Sequence, residues 1–291
     1  MWRRVLFLGQ SAFPGSRERV LVSTSRQYFV MHEQTRSTLA KVPQTTLLFW
    51  IIKVLATTLG ETGGDAVTMS WLGETTSEAK GTGYLIGTAI FGVIFVVAVL
   101  VQIKARKFHP FLYWLTIVAT TTVGTTLADY CTRSLGIGYT GGSTILLILV
   151  IASLLTWLWS TGSISIETVN MPKVEIFYWV TIMFSQTLGT ALGDWVADTN
   201  DMGYVGAAAV FVGALLVAAL LYYLTSISHV MLFWAAFILT RPLGAVVGDF
   251  LDKPHAQGGL ALSRYAASSA ILVLIVALIL IFPQRPAAKA H

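Results

Sequence analysis

The chain is poor in cysteine and in charge, and both shortages narrow what it can be. Cys131 is the only cysteine among 291 residues, which excludes an internal disulfide framework and a thiolate metal cluster. Charged residues make up 11% of the chain, against 55% hydrophobic residues. The hydrophobic residues fall in runs of about twenty, long enough to cross a hydrocarbon core about 30 Å thick. The composition therefore predicts an integral membrane protein.

Signatures of soluble enzymes are missing as well. The sequence has no P-loop, no Rossmann glycine fingerprint and no metalloprotease helix, so we predict no ATP-driven transport by this chain alone and no enzymatic activity. Its net charge of +5 is better explained by orientation in a membrane than by nucleic acid, because no basic aromatic face is present. An intramembrane enzyme that uses paired carboxylates remains an alternative, although no spacing singles out a nucleophile.

What the sequence does contain is one stretch repeated four times. Each copy opens with an aromatic residue followed by Trp, continues through Thr, Ser and Gly, and reaches an Asp fifteen residues after the Trp. A glycine stands ten residues after each Trp. The copies run from Phe49-Trp50 to Asp65, Tyr113-Trp114 to Asp129, Tyr178-Trp179 to Asp194, and Phe233-Trp234 to Asp249.

Each copy holds two apolar segments, and the sequence predicts eight transmembrane helices. The predicted spans are 44–66, 83–103, 110–130, 142–160, 174–195, 204–224, 230–250 and 264–282. The fold class is an all-α integral membrane protein of four tandem helical hairpins with parallel topology, pseudo-symmetric about the membrane normal. The predicted units are a basic tail at 1–40, repeats at 41–107, 108–171, 172–227 and 228–283, and a C-terminal tail at 284–291.

Lys and Arg collect in the links on one side of these spans. The link before the third span holds Lys104, Arg106 and Lys107, on the same side as the arginine-rich residues 1–40 and the C-terminus. Both termini are therefore predicted to be cytoplasmic, and the Asp residues to lie toward the outside. We expect the tail at 1–40 to be disordered. Met31 is an alternative natural start, since the repeats need nothing before it.

The spacing of Trp, Gly and Asp resembles a bacterial membrane-protein repeat of unknown function. That repeat occurs as four tandem copies, each with two transmembrane segments and a characteristic tryptophan, and the resemblance covers residues 44–282. It implies the fold and a multi-pass protein of the bacterial inner membrane. It supplies no assigned active site, so function must be argued from the residues.

One face of the first helix in each copy is polar. Positions four, seven, eleven, fourteen and fifteen after the Trp fall within about 60° of it on a helix. A polar face is unfavourable in lipid, so we expect the four faces to converge on an interior. The candidate ion-binding residues on these faces are Glu61, Asp65, Asp129, Asp194, Asp249, Thr57, Thr121, Thr125, Gln186 and Thr190.

These helices carry five carboxylates against two cations, Lys53 and Arg241, which is an excess of three acids. Hard cations bind carboxylate, hydroxyl and carbonyl oxygens. We therefore predict a secondary transporter or channel for a cation, with a divalent metal such as manganese first and an organic cation second, and with proton coupling as an option. Glu61 and Asp65, one turn apart, are the candidate metal ligands. No covalent cofactor is expected.

The same residues have structural interpretations. The Asp residues can lie at the outer rim as caps, and Arg241 can form a permanent bridge to Glu61 or act as a tethered competitor of the substrate. Lys53 can extend to the cytoplasmic surface. In that case the protein is a membrane-embedded binding or scaffold protein, and the polar interior only specifies packing.

The aromatic and histidine residues have two interpretations as well. The four tryptophans, Trp50, Trp114, Trp179 and Trp234, are expected to be packing or interface anchors, with binding of an organic cation as the alternative. His109 and His229 are expected at the membrane interface.

Overall fold

The computed structural model describes residues 40–74, 82–199 and 202–287, and eight α-helices run through these residues. We number them α1 to α8: Leu47–Asp65, Thr82–Lys104, Pro110–Asp129, Gly138–Thr161, Pro172–Thr199, Gly203–Leu224, His229–Asp252 and Arg264–Ile281. The predicted all-helical fold is confirmed for the described residues. The predicted disordered tail falls on residues 1–40, of which only Ala40 is described, and Ala40 is buried.

Two kinds of short helical segment follow or link these helices. α1 and α3 continue past their Asp residues into π-helical turns, Ala66–Trp71 and Tyr130–Ser134. Short 3-10 turns lie at Ile166–Thr168 and His255–Gln257. The second of these π-helical turns, Tyr130–Ser134, contains the basic residue Arg133.

The first helices of the four copies form a closed inner ring. α1 packs on α3, α3 on α5, α5 on α7, and α7 on α1. Each second helix packs mainly against the first helix of the following copy: α2 on α3, α4 on α5, α6 on α7 and α8 on α1. The predicted two-helix hairpin is therefore a unit of sequence rather than of packing. A short link fixes which helices are connected, but it does not decide which neighbour each helix packs against.

Polarity sorts the helices between the inner ring and the outside. Six of the described helices are long and apolar enough to cross a membrane, and α1 and α5 are not among them. Both belong to the inner ring, and buried polar groups lower their hydropathy, for example Lys53 in α1 and Gln186 in α5. A helix shielded by neighbours does not need an apolar surface all round. By length and composition the chain is a multi-pass membrane protein.

Aromatic contacts repeat around one end of the ring, which we call the Trp end. The first aromatic residue of each copy contacts the Trp of the next copy, and the last copy returns to the first. The ring-centroid distances are 5.5 Å for Phe49–Trp114, 5.9 Å for Tyr113–Trp179, 6.1 Å for Tyr178–Trp234 and 5.7 Å for Phe233–Trp50. The aromatic-Trp pair thus joins neighbouring copies into a closed girdle.

The repeated glycine has an equally regular contact. In each copy, the glycine ten residues after the Trp lies against the residue seven after the Trp of a neighbouring copy. The pairs are Gly60 with Thr121, Gly124 with Gln186, Gly189 with Arg241, and Gly244 with Thr57. A Cβ on any of these glycines would overlap its neighbour, so the glycines let the inner helices approach closely.

The two ends of the described chain meet at the Trp end. Pro43 and Pro286 form an isolated antiparallel bridge, and the Nζ of Lys41 lies 2.6 Å from Oε1 of Glu175 in α5. The indole nitrogen of Trp114 donates to Gln284 Oε1 at 2.8 Å. Residues before α1 and after α8 therefore lie on the same side of the bundle and cover the girdle.

Candidate functional site

Arg241 lies inside the ring and is bonded to the other three inner helices. Its Nη2 donates to Glu61 Oε2 of α1 at 2.9 Å, to Thr125 Oγ1 of α3 at 2.6 Å and to Thr190 Oγ1 of α5. Those three acceptors all stand eleven residues after their Trp, a position that is Ala245 in α7. The Arg241 guanidinium thus points toward the level of Ala245, where its own helix has only a methyl group.

Glu61 and Arg241 form a buried ion pair in this structure. Arg241 is fully buried and Glu61 is 3% exposed. The structure therefore contains the Arg241–Glu61 ion pair that the bridge interpretation describes. Charges removed from water need both a partner and hydrogen bonds, and the two threonine hydroxyls supply further partners here. We call this pair the Arg241 bridge.

At the opposite end of the ring, the Asp end, the four repeated Asp residues are buried and joined in pairs. Arg133 Nε lies 3.0 Å from Asp129 Oδ1, and Arg133 Nη2 lies 3.4 Å from Asp194 Oδ2. Lys253 Nζ lies 3.1 Å from Asp249 Oδ1 and also bonds Asp65 Oδ2. Each base therefore connects the Asp of its own copy to the Asp of the next. We call these the Arg133 bridge and the Lys253 bridge.

The pairing corrects the expectation of a single four-fold Asp set. Two Asp residues belong to each bridge, and none of the four is an exposed rim cap, since their exposure is at most 3%. The protein itself supplies the cation that offsets an Asp at the unfavourable end of a helix dipole. Burial acts to lower the pKa of Lys253, but the carboxylates of Asp249, Asp65 and Asp252 together hold that pKa well above its usual value. Lys253 therefore stays charged.

Arg133 and Lys253 were not among the residues that the sequence predicted for the site. Both stand nineteen residues after the Trp of their copy, and the corresponding positions in the other two copies are Met69 and Asp198. This alternation between copies is a signal that was available in the sequence. These two bases raise the number of cations that stand against the five predicted carboxylates from two to four.

One group of acids has the geometry of a metal site. Glu61, Asp65 and Asp249 each offer a carboxylate oxygen, and these oxygens lie within 4.8 Å of one another in a buried position. Asp65 Oδ1 accepts no hydrogen bond from the described residues. Hard cations bind such oxygens at about 2.0–2.6 Å, so three oxygens this close fit around one ion. The group contains both predicted metal ligands, and it shares Asp65 and Asp249 with the Lys253 bridge.

The predicted threonine and glutamine residues divide into three kinds. Thr125 and Thr190 bond the Arg241 guanidinium. Thr57 Oγ1 lies 2.8 Å from the carbonyl oxygen of Val54 in its own helix and 3.2 Å from that of Thr240. Thr121 Oγ1 lies 2.9 Å from that of Val118 and 3.2 Å from that of Ala56, so both hydroxyls bond backbone carbonyls. The amide of Gln186, fully buried, has no hydrogen bond to the described residues.

Lys53 does not reach the surface, contrary to one interpretation of the sequence. Its side chain is fully buried, and its Nζ lies 4.2 Å from the centroid of the Phe237 ring. Phe237 and Lys53 both stand three residues after their Trp on adjacent helices, so the ring covers the ammonium from the side. The tertiary packing of α7 on α1 overrides the tendency of lysine to extend toward water.

The tryptophans match the packing interpretation. Trp114, Trp179 and Trp234 are at most 3% exposed, and only Trp50 is half-buried. His229, at the start of α7, stacks on Tyr222 with a centroid distance of 4.3 Å. These rings contact one another within the girdle or beside it, and they do not line the acidic group at the Asp end.

A model of one known family matches the chain four times. The family is described as Repeat of Unknown Function (DUF347), and the matches cover residues 48–108, 112–163, 177–228 and 232–284. The chain belongs to this family. The DUF347 matches confirm the four tandem copies recognised from the Trp, Gly and Asp spacing. Comparisons with curated proteins and with solved structures gave no match.

Lys253→Met tests the Lys253 bridge. The substitution leaves Asp65 and Asp249 close together without their shared cation, and we expect the free energy of unfolding to fall by about 2 kcal/mol. Lys107→Met, on an exposed lysine, is the matched control and should stay within about 0.5 kcal/mol of wild type. Equilibrium unfolding in mixed detergent micelles measures both. Equal stability of the two variants would show that the bridge contributes nothing.

Proposed function

We propose that the chain is a secondary transporter or channel that moves a cation, a divalent metal such as Mn²⁺ in first place, through the interior of the inner ring. The observation that supports this most directly is the buried group of Glu61, Asp65 and Asp249, whose oxygens lie within 4.8 Å of one another. Hard divalent cations take such oxygen ligands. We further propose that the protein lies in the bacterial inner membrane with both termini cytoplasmic.

The chain's own cations suggest how binding is controlled. Lys253 bonds Asp65 and Asp249, and Arg241 bonds Glu61. A metal ion that binds all three carboxylates must displace these side chains, so Lys253 and Arg241 act as tethered competitors. Protonation of the carboxylates would release the same side chains, which gives a physical route to proton coupling.

The proposed orientation rests on two observations. The residues before α1 and after α8 pair at the Trp end, so the described chain begins and ends on one side of the bundle. The basic link between α2 and α3 holds Lys104, Arg106 and Lys107 and lies on that same side, because Lys41, which precedes α1, donates to the carbonyl oxygen of Ile103 near the end of α2 at 2.9 Å. A concentration of Lys and Arg in short links is typical of the cytoplasmic side.

Metal binding and metal flux test the proposal together. We expect one member of a panel of Mn²⁺, Mg²⁺, Ca²⁺, Zn²⁺, Na⁺ and organic cations to raise the Tm of the purified protein, and the same ion to cross proteoliposomes that contain it. Glu61→Gln and Asp65→Asn should abolish both effects. Asp198→Asn is the matched control, because Asp198 is exposed and bonds Tyr139 Oη outside the acidic group. Lys253→Met removes a competitor and should keep or strengthen metal binding despite its lower stability.

A membrane-embedded binding or scaffold protein is the second candidate, and the ion pairs favour it. Each of the five interior carboxylates is already paired with Arg133, Arg241 or Lys253. If Glu61→Gln and Asp65→Asn lower only the Tm, while no cation of the panel crosses wild-type proteoliposomes faster than empty ones, the interior serves packing and the transport proposal fails.

A further inference from the structure

Between the aromatic girdle and the Arg241 bridge, three side chains have N–H donors without a hydrogen-bond partner among the described residues, and the hydroxyls of Thr181 and Ser185 on α5 are unpartnered as well. Lys53, Gln186 and Arg241 are all fully buried. Lys53 Nζ, Gln186 Nε2 and the Nε and Nη1 of Arg241 form no hydrogen bond to the described part of the chain. Buried donors are nearly always satisfied, so unused donors on three side chains need a ligand or water. We call this group the Lys53 site.

The three side chains come from three inner helices at neighbouring levels. Gln186 of α5 and Arg241 of α7 both stand seven residues after their Trp. Lys53 of α1 lies one turn nearer the Trp end, with its Nζ 4.2 Å from the centroid of the Phe237 ring. Phe237 precedes Arg241 by four residues on the same face of α7. The donors therefore lie at neighbouring levels of the inner ring, and the Phe237 ring stands beside Lys53.

The Lys53 site carries more positive than negative charge. The Glu61 carboxylate is bonded to Arg241, and no described carboxylate is paired with Lys53. A buried ammonium with only an aromatic ring beside it lacks the counter-charge that a water-poor interior requires.

We propose that the Lys53 site binds a small monovalent inorganic anion of halide size. Two cationic side chains and one amide present N–H donors, and a halide accepts hydrogen bonds without needing a donor in return. The hydroxyls of Thr57 and Thr121, at the same level, already donate to backbone carbonyls. The site shares Arg241 with the Arg241 bridge to Glu61, but anion binding at Lys53 does not depend on cation transport.

Bromide is the probe. Purified wild-type protein is melted in sodium gluconate and in sodium bromide at the same sodium concentration, so the cations are identical in the two conditions. We expect bromide in large excess over its dissociation constant to raise the Tm by about 5 °C. Anomalous scattering from bromide-soaked crystals should show a peak beside Lys53 Nζ and Arg241. An unchanged Tm together with no anomalous peak in wild type would overturn the proposal.

The variants Lys53→Met and Lys53→Arg test whether Lys53 binds an anion or has only a structural role. Lys53→Met should lose the bromide effect and, in gluconate, be at least as stable as wild type, because a buried charge without a counter-ion has been removed. Lys53→Arg keeps the charge and should keep the effect. Lys107→Met is the matched control and should respond to bromide as wild type does. An undiminished bromide effect in Lys53→Met would contradict the proposal; if that variant does not fold, the wild-type anomalous map decides.

Discussion

Arg241→Met is expected to lower the free energy of unfolding by about 3–5 kcal/mol, a large fraction of the stability of a typical protein. The substitution keeps most of the apolar stem, so packing against Gly189 is largely retained. The change removes the one charged partner that Glu61 has among the described residues, together with the hydrogen bonds to Thr125 and Thr190. A carboxylate left alone in a buried position has to be protonated or rehydrated, and either change weakens the inner ring.

Adding Glu61→Gln to Arg241→Met shows whether the lower stability of Arg241→Met comes from the lost ion pair or from lost packing. The double variant contains neither buried charge, so we expect it to recover most of the stability that Arg241→Met loses. Lys107→Met is the control, because Lys107 is exposed and lies in the link between α2 and α3, outside the ring. It should change the stability by about 0.5 kcal/mol or less. If the two substitutions add without compensation in equilibrium unfolding, Glu61 and Arg241 are not energetically coupled.

The spacing within the repeat predicts the inner ring well, because each regular position has a regular contact. The aromatic residue, the Trp and the glycine ten residues later each contact the neighbouring copy in all four copies. The partner of each outer helix was not predictable in this way. α2, α4, α6 and α8 are almost wholly apolar, and such a surface packs against either neighbour or against lipid without a specific polar pattern to choose between them.

The residues of the candidate site that lie on a regular α-helix were predictable from the sequence. Glu61 and Asp65 lie within the polar stripe, and the structure brings them together with Asp249. A residue nineteen positions after the Trp falls about 100° from it on an ideal helix, outside that stripe. Arg133 lies in the π-helical turn after α3, and Lys253 follows the end of α7 in an extended conformation. Each base nevertheless stands four residues after the Asp of its own copy, a spacing that places two side chains together on a helix, so this half of each bridge was readable from the sequence. The second Asp of each bridge comes from the next copy, and the sequence does not indicate it.

Gly124→Val is expected to damage the ring although it alters no charge. A Cβ on Gly124 would lie 3.0 Å from the backbone carbonyl carbon of Gln186 and from the backbone nitrogen of Thr187. A side chain can rotate away from such a contact, but backbone atoms cannot, so α3 and α5 must move apart. Overpacking of this kind costs about 3 kcal/mol, and the shift extends to Thr125 and Thr190, which bond Arg241 from these two helices.

The matched control for Gly124→Val is Gly63→Val, on inner helix α1, where an added Cβ would meet nothing within 4 Å. Because valine and glycine differ little in intrinsic helix propensity, Gly63→Val should change the Tm by at most a few degrees. Gly124→Val should lower the Tm by several times that amount. Similar melting curves for the two variants would mean that close approach of α3 and α5 does not hold the ring together. The regular glycine spacing would then need a different explanation, such as motion between the inner helices during transport.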